Sequence, residues 1–279
     1  MNVGDWLVHA RQALTASDSA RTDAELLLMH VLQVSRTWLY TWPDKALLPQ
    51  QLTAINDLLA RRAAGEPVAY LTGFREFWSL SLEVAPSTLI PRPDTETLVE
   101  WVLELDLPAQ TRAVDLGTGT GAIALALASE HRQWRIEAVE YNPEAAALAQ
   151  RNARRLSLPV TIQQGSWFEP LQGPFDLIVS NPPYIDPDDH HLSEGDVRFE
   201  PRSALVADDR GMADLQHIID EAPRYLNQGG WLLLEHGYDQ ASGVCEYLRN
   251  RGFTAVENRR DLGGNPRISA GCWQGAEHE

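Results

Sequence analysis

Cysteine is scarce in this chain: Cys245 and Cys272 are the only two among 279 residues. They form no CxxC pair and show no metal-ligand spacing, which argues against a redox motif, a cysteine zinc site or a disulfide-stapled scaffold. A disulfide-free cytoplasmic protein without a metal is expected. Long apolar runs are missing as well. No stretch reaches the ~20 residues needed to cross a bilayer, and Met1-Asn2-Val3-Gly4-Asp5-Trp6 lacks the basic and then apolar regions of a signal peptide. No membrane partner is expected. Basic residues are outnumbered: 23 Lys and Arg stand against 39 Asp and Glu, for a formal net charge of −16. Residues 1–85 hold nine acids and seven bases, so nearly all of the excess lies beyond them. A protein that neutralises many phosphates carries a basic face. This one repels a duplex at long range, and Arg151-Arg154-Arg155 and Arg259-Arg260 read as solvated faces. With 44% hydrophobic residues the chain can bury the core of one large α/β domain plus a small helical one.

The most telling residues present are Asn181-Pro182-Pro183-Tyr184. They follow the apolar run Phe175-Asp176-Leu177-Ile178-Val179 and end it with two prolines that cannot donate to a sheet ladder. A strand that stops there leaves an amide, two rigid turns and a phenol at its carboxyl end, the edge where open α/β sheets bind ligands. Those groups suit a planar nitrogen with exchangeable protons, meaning a carboxamide or an exocyclic base amine. The side-chain oxygen of Asn181 and a backbone carbonyl can each accept one N–H, while Tyr184 covers a face. Taken alone, the tetrapeptide also fits a Pro-rich turn whose Asn caps local backbone.

A second motif, Asp115-Leu116-Gly117-Thr118-Gly119-Thr120-Gly121, sits where a short β run (Arg112 to Leu116) meets a helical one (Ala122 to Ser129). Its glycines let the backbone turn sharply and approach a ligand closely. The next β run, Arg135 to Val139, ends in Glu140, placed about twenty residues on to accept hydrogen bonds from ribose hydroxyls. Gly117-x-Gly119-x-x-Ala122 also fits the dinucleotide fingerprint, which leaves a nicotinamide enzyme as a rival. Asp115 directly before the glycines favours S-adenosylmethionine instead. The two motifs together point to an amino-methyltransferase.

The first segment reads as helices. Val3, Trp6, Leu7, Ala10 and Leu14 form one apolar stripe, and Ala24, Leu27, Leu28 and Val31 form another after the capping candidates Ser19 and Thr22. A short piece covers Thr37 to Trp42, and a longer one runs from Gln50 to Ala64 with Leu52, Ile55 and Leu59 inward. These stripes are bundle core without a cluster of catalytic residue types. Residues 1–73 are therefore expected to be an N-terminal helical substrate-docking domain. Alternation and aromatics over 74–90 predict a β-hairpin linker, and Asp94 is the expected N-cap of a helix from Thr95 to Leu105. From 91 to 279 the pattern alternates. Strand-like runs at 112–116, 135–140, 160–164, 175–180, 230–235, 253–257 and 267–272 interleave with helical runs at 122–130, 143–156, 212–226 and 239–251. Such alternation predicts a doubly wound α/β domain with a seven-stranded, mostly parallel sheet. The connection 185–211 is rich in Asp, Pro and Gly, and loops of that length tend to serve as lids or binding loops.

Three further segments narrow the family: Gly73-Phe74-Arg75-Glu76-Phe77-Trp78, Leu89-Ile90-Pro91-Arg92-Pro93-Asp94-Thr95-Glu96 and Asp196-Val197-Arg198-Phe199-Glu200-Pro201. With the glycine loop and the tetrapeptide, they make the chain resemble, nearly end to end, the peptide chain release factor N5-glutamine methyltransferases. The glycine loop is shared with many methyltransferases. The hairpin and the Ile-Pro-Arg-Pro run are more specific, since DNA amino-methyltransferases with the same tetrapeptide do not carry them. The resemblance implies a helical domain, a hairpin and a Rossmann-like class I methyltransferase domain. It implies methyl transfer from S-adenosyl-L-methionine, leaving S-adenosyl-L-homocysteine, to the glutamine of the Gly-Gly-Gln tip of class 1 release factors. It also implies that Gly117, Thr118, Gly119, Thr120 and Gly121 hold the methionine part of the cofactor, that Glu140 holds the ribose, and that Ser166-Trp167 lies beside the adenine. Relatives often carry Asp at positions 140 and 166; here Glu140 keeps the ribose contact with a longer arm, and Ser166 leaves a contact to the adenine amine open.

Chemistry singles out Asn181. A carboxamide nitrogen is a poor nucleophile because its lone pair is delocalised. Holding its two N–H groups on the Asn181 side-chain oxygen and the Pro182 carbonyl aims the nitrogen at the methyl donor, and the same acceptors stabilise the positive charge that develops. Asn181, Pro182 and Tyr184 are the catalytic candidates, with Pro183 completing the substrate-binding set and Asn181 also bordering the cofactor. The Tyr184 ring is expected to pack on the planar amide. No side chain need act as a strong base, so no role falls on His190-His191, which read as a solvated loop pair. Two other classes remain: a nucleic-acid adenine-N6 or cytosine-N4 methyltransferase, permitted by the tetrapeptide but opposed by charge, and a cofactor-binding module without catalysis.

Overall fold

The computed structural model describes residues 1–275 and divides into two compact units. One comprises Met1–Phe74 together with His190–Phe199; the other runs from Arg75 to Asp189 and continues from Glu200.

The first unit is helical, with α1 (Val3–Ala13), α2 (Ala20–Leu32), α3 (Arg36–Thr41), α4 (Pro49–Ala63) and a short α5 (Val68–Thr72) that periodicity did not disclose. The stripes turn inward as a 3.6-residue repeat requires: Val3, Trp6, Ala10, Ala24, Leu27, Leu28 and Ile55 are fully buried in one cluster, with Val31 and Leu52 half-buried at its margin. Ser19 precedes α2 but makes no cap bond; its hydroxyl goes to Asp23, and Thr22 lies inside the helix. Segment 190–199 joins this unit through a buried guanidinium. Arg62 bonds Asp23 and Asp196, each at 2.8 Å, and Arg198 donates to the Ala64 carbonyl. His190 and His191 sit here in a single 3-10 turn, their rings 4.0 Å apart.

From the last residue of that unit the chain enters a hairpin of β1 (Phe74–Phe77) and β2 (Leu80–Glu83), which turns through Trp78 and Ser79 in the second unit. Both residues have positive φ, the two-residue turn that matches strand twist. The hairpin stops at Glu83, short of the expected 90, because Pro86 and Pro91 interrupt the run beyond it. The next helix, α6 (Glu96–Glu104), starts from a 3-10 turn at Pro93–Thr95, so Asp94 does not cap it. Asp94 lies 3.8 Å from Arg267 instead.

The remaining elements alternate: β3 (Arg112–Leu116), α7 (Ala122–Glu130), β4 (Arg135–Glu140), α8 (Pro143–Leu156), β5 (Val160–Gln164), β6 (Phe175–Ser180), a single turn α9 (Asp208–Gly211), α10 (Ala213–Glu221), β7 (Leu226–Glu235), α11 (Ala241–Asn250), β8 (Phe253–Arg260) and β9 (Pro266–Trp273). They build one seven-stranded sheet in the order β5-β4-β3-β6-β7-β9-β8. It is parallel as far as β7 and antiparallel at β9 and β8. β7 begins four residues before its expected start because Leu226 already pairs with Phe175, ahead of a register shift near Gly229-Gly230. Alternate residues of β3 face opposite cores: Ala113 packs with α6 and α7, while Val114 and Leu116 pack with α10 and α11. α7 is small and apolar all round, and its residues Ala122 to Ala128 are all buried, as a helix without a solvent face must be.

Candidate active site

Strand order reverses beside β3, where the chain leaves β5 and returns as β6. At such a switch point the carboxyl ends of neighbouring strands open a crevice. Register pairs Leu116 of β3 with Ser180 of β6 and with Val139 of β4. The residues that follow those three, Gly117, Asn181 and Glu140, therefore emerge at one sheet edge. All three line a single cavity of about 450 Å³, within the range that holds a drug-sized ligand. Thr118, Gly119, Thr120, Trp167 and Pro183 are in the same wall.

The glycine loop is fixed from three sides. Gly117 and Thr118 donate their amides to the Val139 carbonyl at 2.9 and 3.0 Å. Asp115, buried beneath, accepts the Thr118 hydroxyl at 2.5 Å and the Ala124 amide at 3.2 Å, while its Oδ1 has no partner. Burial pushes its carboxyl up to about 7, against the pull of those hydrogen bonds. Asn152 of α8, wholly buried, accepts the Glu83 amide and donates to the carbonyls of Glu83 and Thr120, tying hairpin to loop. Gly119 has φ +56 and nothing within 4 Å of where a Cβ would stand, so its bare face is open space for a ligand. Gly121 lies outside the cavity wall. At φ +86 it starts α7, and a Cβ there would come 3.0 Å from Leu125.

Glu140 spans the cavity floor: Oε2 accepts the Gly119 amide and Oε1 the Asn142 amide, both at 2.8 Å. Trp167 is half-buried and turns its ring through a left-handed backbone position, φ 45. Ser166 lines the wall beside it, its amide held by Glu169.

Asn181 meets a residue to which the sequence reading assigned no role. Its Nδ2 donates to Thr95 Oγ1 at 3.3 Å, and the Thr95 hydroxyl is among the groups that pull the Glu235 carboxyl down, against its burial. Glu235, at the end of β7, accepts the Tyr184 hydroxyl, with Oε1 at 3.3 Å. Burial holds the Glu235 carboxyl up at about 7, and burial first, then the Glu235 charge, pushes the Tyr184 phenol well above its ordinary range. Tyr184 and Pro182 do not line the cavity; the phenol ring is packed into the apolar cluster behind it. Arg92 lines the wall and pairs with the buried Glu200. Two signals were available in the sequence. Arg92 and Thr95 belong to the segment Leu89 to Glu96, and Glu235 closes the apolar run Leu232-Leu233-Leu234 at the sheet's ligand edge.

Comparison with known proteins agrees with this geometry. The chain matches the family described as methyltransferase small domain over residues 93–195 and the PrmC N-terminal domain over residues 5–73. A crystal structure of a methyltransferase from Pyrococcus furiosus superimposes with a TM-score of 0.56 at 21% identity, covering 79% of this chain and 99% of that one, a likeness of fold. Fold and site together define an α/β methyltransferase. The release factor glutamine methyltransferase of Salmonella typhimurium is 56% identical across 97% of this chain and 99% of its own length. Its counterpart in Escherichia coli is 52% identical over the same shares. The chain belongs to the release factor glutamine methyltransferase family.

Proposed function

We propose that this protein transfers a methyl group from S-adenosyl-L-methionine to the side-chain amide nitrogen, N5, of the glutamine in the Gly-Gly-Gln tip of class 1 release factors, and so modulates translation termination. The observation that carries the reading is the Asn181 amide in the wall of a cavity that the glycine loop also lines. The residues present suit that cofactor. Gly119 leaves a face where backbone and ligand can touch. Glu140 spends two acceptor sites on Gly119 and Asn142, and an ionised carboxylate has about four, which leaves room for ribose hydroxyls. Trp167 supplies a flat apolar wall for a base. When bound, the cofactor supplies a methyl group made electrophilic by its sulfonium.

The chain's own task is orientation. Asn181 Oδ1 and the Pro182 carbonyl take the two amide hydrogens of the acceptor glutamine, turn its nitrogen toward the methyl donor and stabilise the charge that grows there. Tyr184 enters this reading as a support behind the acceptor pocket, through its bond to Glu235, rather than as a ring stacked on the amide. The helical unit is the docking element for the release factor. Among the described residues no helix is long and apolar enough to cross a membrane, and the reading places the enzyme in the cytoplasm with its partner.

The test is incubation with labelled S-adenosylmethionine and a mixture of release factor and duplex DNA. Label on one glutamine of the release factor, located by peptide mass analysis, and none on DNA is the expected result. Label on an adenine with the release factor untouched would overturn the reading.

A further inference from the structure

A charge left without a partner in a cavity wall says something about the ligand. Three side chains of this wall carry formal charge: Arg92, Glu140 and Asp214. Two of them are engaged within the protein. Arg92 pairs with Glu200, whose side chain has no exposure. Glu140 gives one oxygen to the Gly119 amide and the other to the Asn142 amide. Asp214 is half-buried, and none of the described residues gives its carboxylate a hydrogen bond or an ion pair. Burial pushes this carboxyl up; the charge of His217, one turn further along α10, pulls it down, and that of Asp208 pushes it up again. A cation in the cavity would relieve that burial.

The fold also sets where this carboxylate enters. The chain leaves β6 at the carboxyl edge of the sheet and enters β7, its parallel neighbour, at the amino edge. α10 runs back between them, so its first turn, with Asp214 as second residue, stands at the ligand edge. That turn is fastened to the tetrapeptide. A Cβ on Gly211 would run into the Tyr184 carbonyl, and Gln240 Nε2 donates to the carbonyls of Tyr184 and Arg210 at 3.0 and 3.2 Å. Asp214 thus reaches the cavity from beside Asn181-Pro182-Pro183-Tyr184, where the proposed transfer takes place.

We infer that Asp214 is a specificity-determining residue whose unpaired carboxylate favours the methyl donor, with its sulfonium, over the demethylated product, with a neutral sulfur in the same position. The inference rests on the proposed methyl transfer. S-adenosylmethionine and S-adenosylhomocysteine share adenine, ribose, ammonium and carboxylate, so hydrogen bonds to those parts do not tell them apart. The sulfonium charge does, and a charge acts across several ångströms without contact. Selection is a difference between two affinities. The carboxylate adds to the affinity of the donor alone, so spent product is readily exchanged for fresh donor.

The experiment measures the affinities of S-adenosylmethionine and S-adenosylhomocysteine by calorimetry, without release factor, for the parent, Asp214→Asn and Asp214→Glu. It is run at about pH 8, where an aspartate partly open to solvent is ionised, and at low and high salt. Asparagine keeps the shape and removes the charge; glutamate keeps the charge. Asp214→Asn is expected to weaken binding of the donor roughly tenfold and of the product about twofold at most, with circular dichroism unchanged. Asp214→Glu should keep the parent's preference. Added salt should narrow that preference in the parent and leave Asp214→Asn unaffected. Equal weakening of both ligands in Asp214→Asn would mean that the carboxylate holds a part they share. That result, unchanged affinities in Asp214→Asn, or a preference lost in Asp214→Glu would each overturn the inference. A parent protein that binds neither ligand would overturn the proposed function itself, a separate outcome.

Discussion

Glu140 Oε2 accepts the backbone amide of Gly119 at 2.8 Å, so the carboxylate at the end of β4 holds the loop that follows β3. Its other oxygen holds Asn142, which caps α8 through the amides of Glu144 and Ala145. One side chain therefore organises the floor of the cavity before any ligand arrives. Removing it should weaken cofactor binding twice over, through the lost ribose contacts and through a looser glycine loop. Glu140→Ala is expected to lower affinity for S-adenosylhomocysteine by roughly ten- to a hundredfold, as for one or two hydrogen bonds to a charged acceptor. Glu140→Gln should fall between, since its amide retains one oxygen. Titration calorimetry gives the answer, and an unchanged affinity in Glu140→Ala would place the ribose elsewhere.

Binding and chemistry separate at two other residues. Asn181→Ala should keep most cofactor affinity and lose turnover by roughly a hundredfold or more, because orientation and charge stabilisation act in the transition state. Gly119→Val should abolish cofactor binding instead. Its Cβ would enter the open space in front of the loop, and a branched residue at φ +56 is strained as well. The comparison needs calorimetry with S-adenosylhomocysteine and a methyl-transfer assay on both variants. Near-normal turnover in Asn181→Ala would mean that the acceptor is held by other groups.

Much of this fold was legible because its signals are local. The stripe from Val3 to Leu14, the glycines at 117, 119 and 121, and prolines ending β6 each specify their own stretch of chain, and the seven-stranded sheet follows from their alternation. The cavity's apparent residues were legible for the same reason, since they all follow strands. What stayed hidden depends on contacts across the sequence. Thr95 meets Asn181 across 86 residues, Tyr184 meets Glu235 across 51, and Arg62 meets Asp196 across 134. Spacing along a chain carries no trace of such partners. The expected cap at Asp94 failed for a related reason: with Pro93 opening a 3-10 turn, the α-helix begins two residues beyond it.

Asn152 shows what a buried amide contributes when every bond is made. It satisfies the amide and carbonyl of Glu83 and the carbonyl of Thr120 from a position with no solvent exposure. Asn152→Leu keeps the branched outline, though bulkier, but would leave those backbone groups without partners, at about 1–3 kcal/mol for the buried N–H alone. The melting temperature should drop by several degrees, and cofactor affinity should weaken because the Thr120 carbonyl loses its anchor. A variant as stable as the parent would show that water or a backbone shift takes over these bonds.

Two buried carboxyls make stability depend on pH in a definite direction. Asp115 and Glu235 are both raised to about 7 by burial, from ordinary values of 3.8 and 4.5. The folded chain therefore holds these protons more tightly than the unfolded one. The stabilisation is complete below the unfolded values and is lost as pH rises through about 7, amounting to roughly 3–4 kcal/mol per group at most. Thermal melts of the ligand-free protein from pH 5 to 8 should show the parent losing stability relative to Asp115→Asn and to Glu235→Gln, each of which lacks one of the two titrating groups. Parallel curves would mean that the unpaired atoms Asp115 Oδ1 and Glu235 Oε2 gain enough solvent or ligand to ionise at ordinary pH.

The helical unit carries packed stripes and an internal ion-pair network but no catalytic cluster, and the proposed function makes it the grip on the release factor. The segment 190–199 belongs to that unit through Arg62 and Asp196, so a clean removal takes out residues 1–73 and replaces 190–199 with a short Gly-Ser linker. The cavity wall starts at Phe77 and includes none of the deleted residues, so S-adenosylhomocysteine should bind as before. Activity on whole release factor should fall sharply, because one exposed glutamine offers too little contact area for tight and selective capture. Activity on a short Gly-Gly-Gln peptide, weak with either protein, should change little. Circular dichroism must first show the shortened chain folded. The contrast between the two substrates then decides: equal losses on protein and peptide would make the helical unit a support for the catalytic core, and a loss confined to the whole factor would make it the docking element.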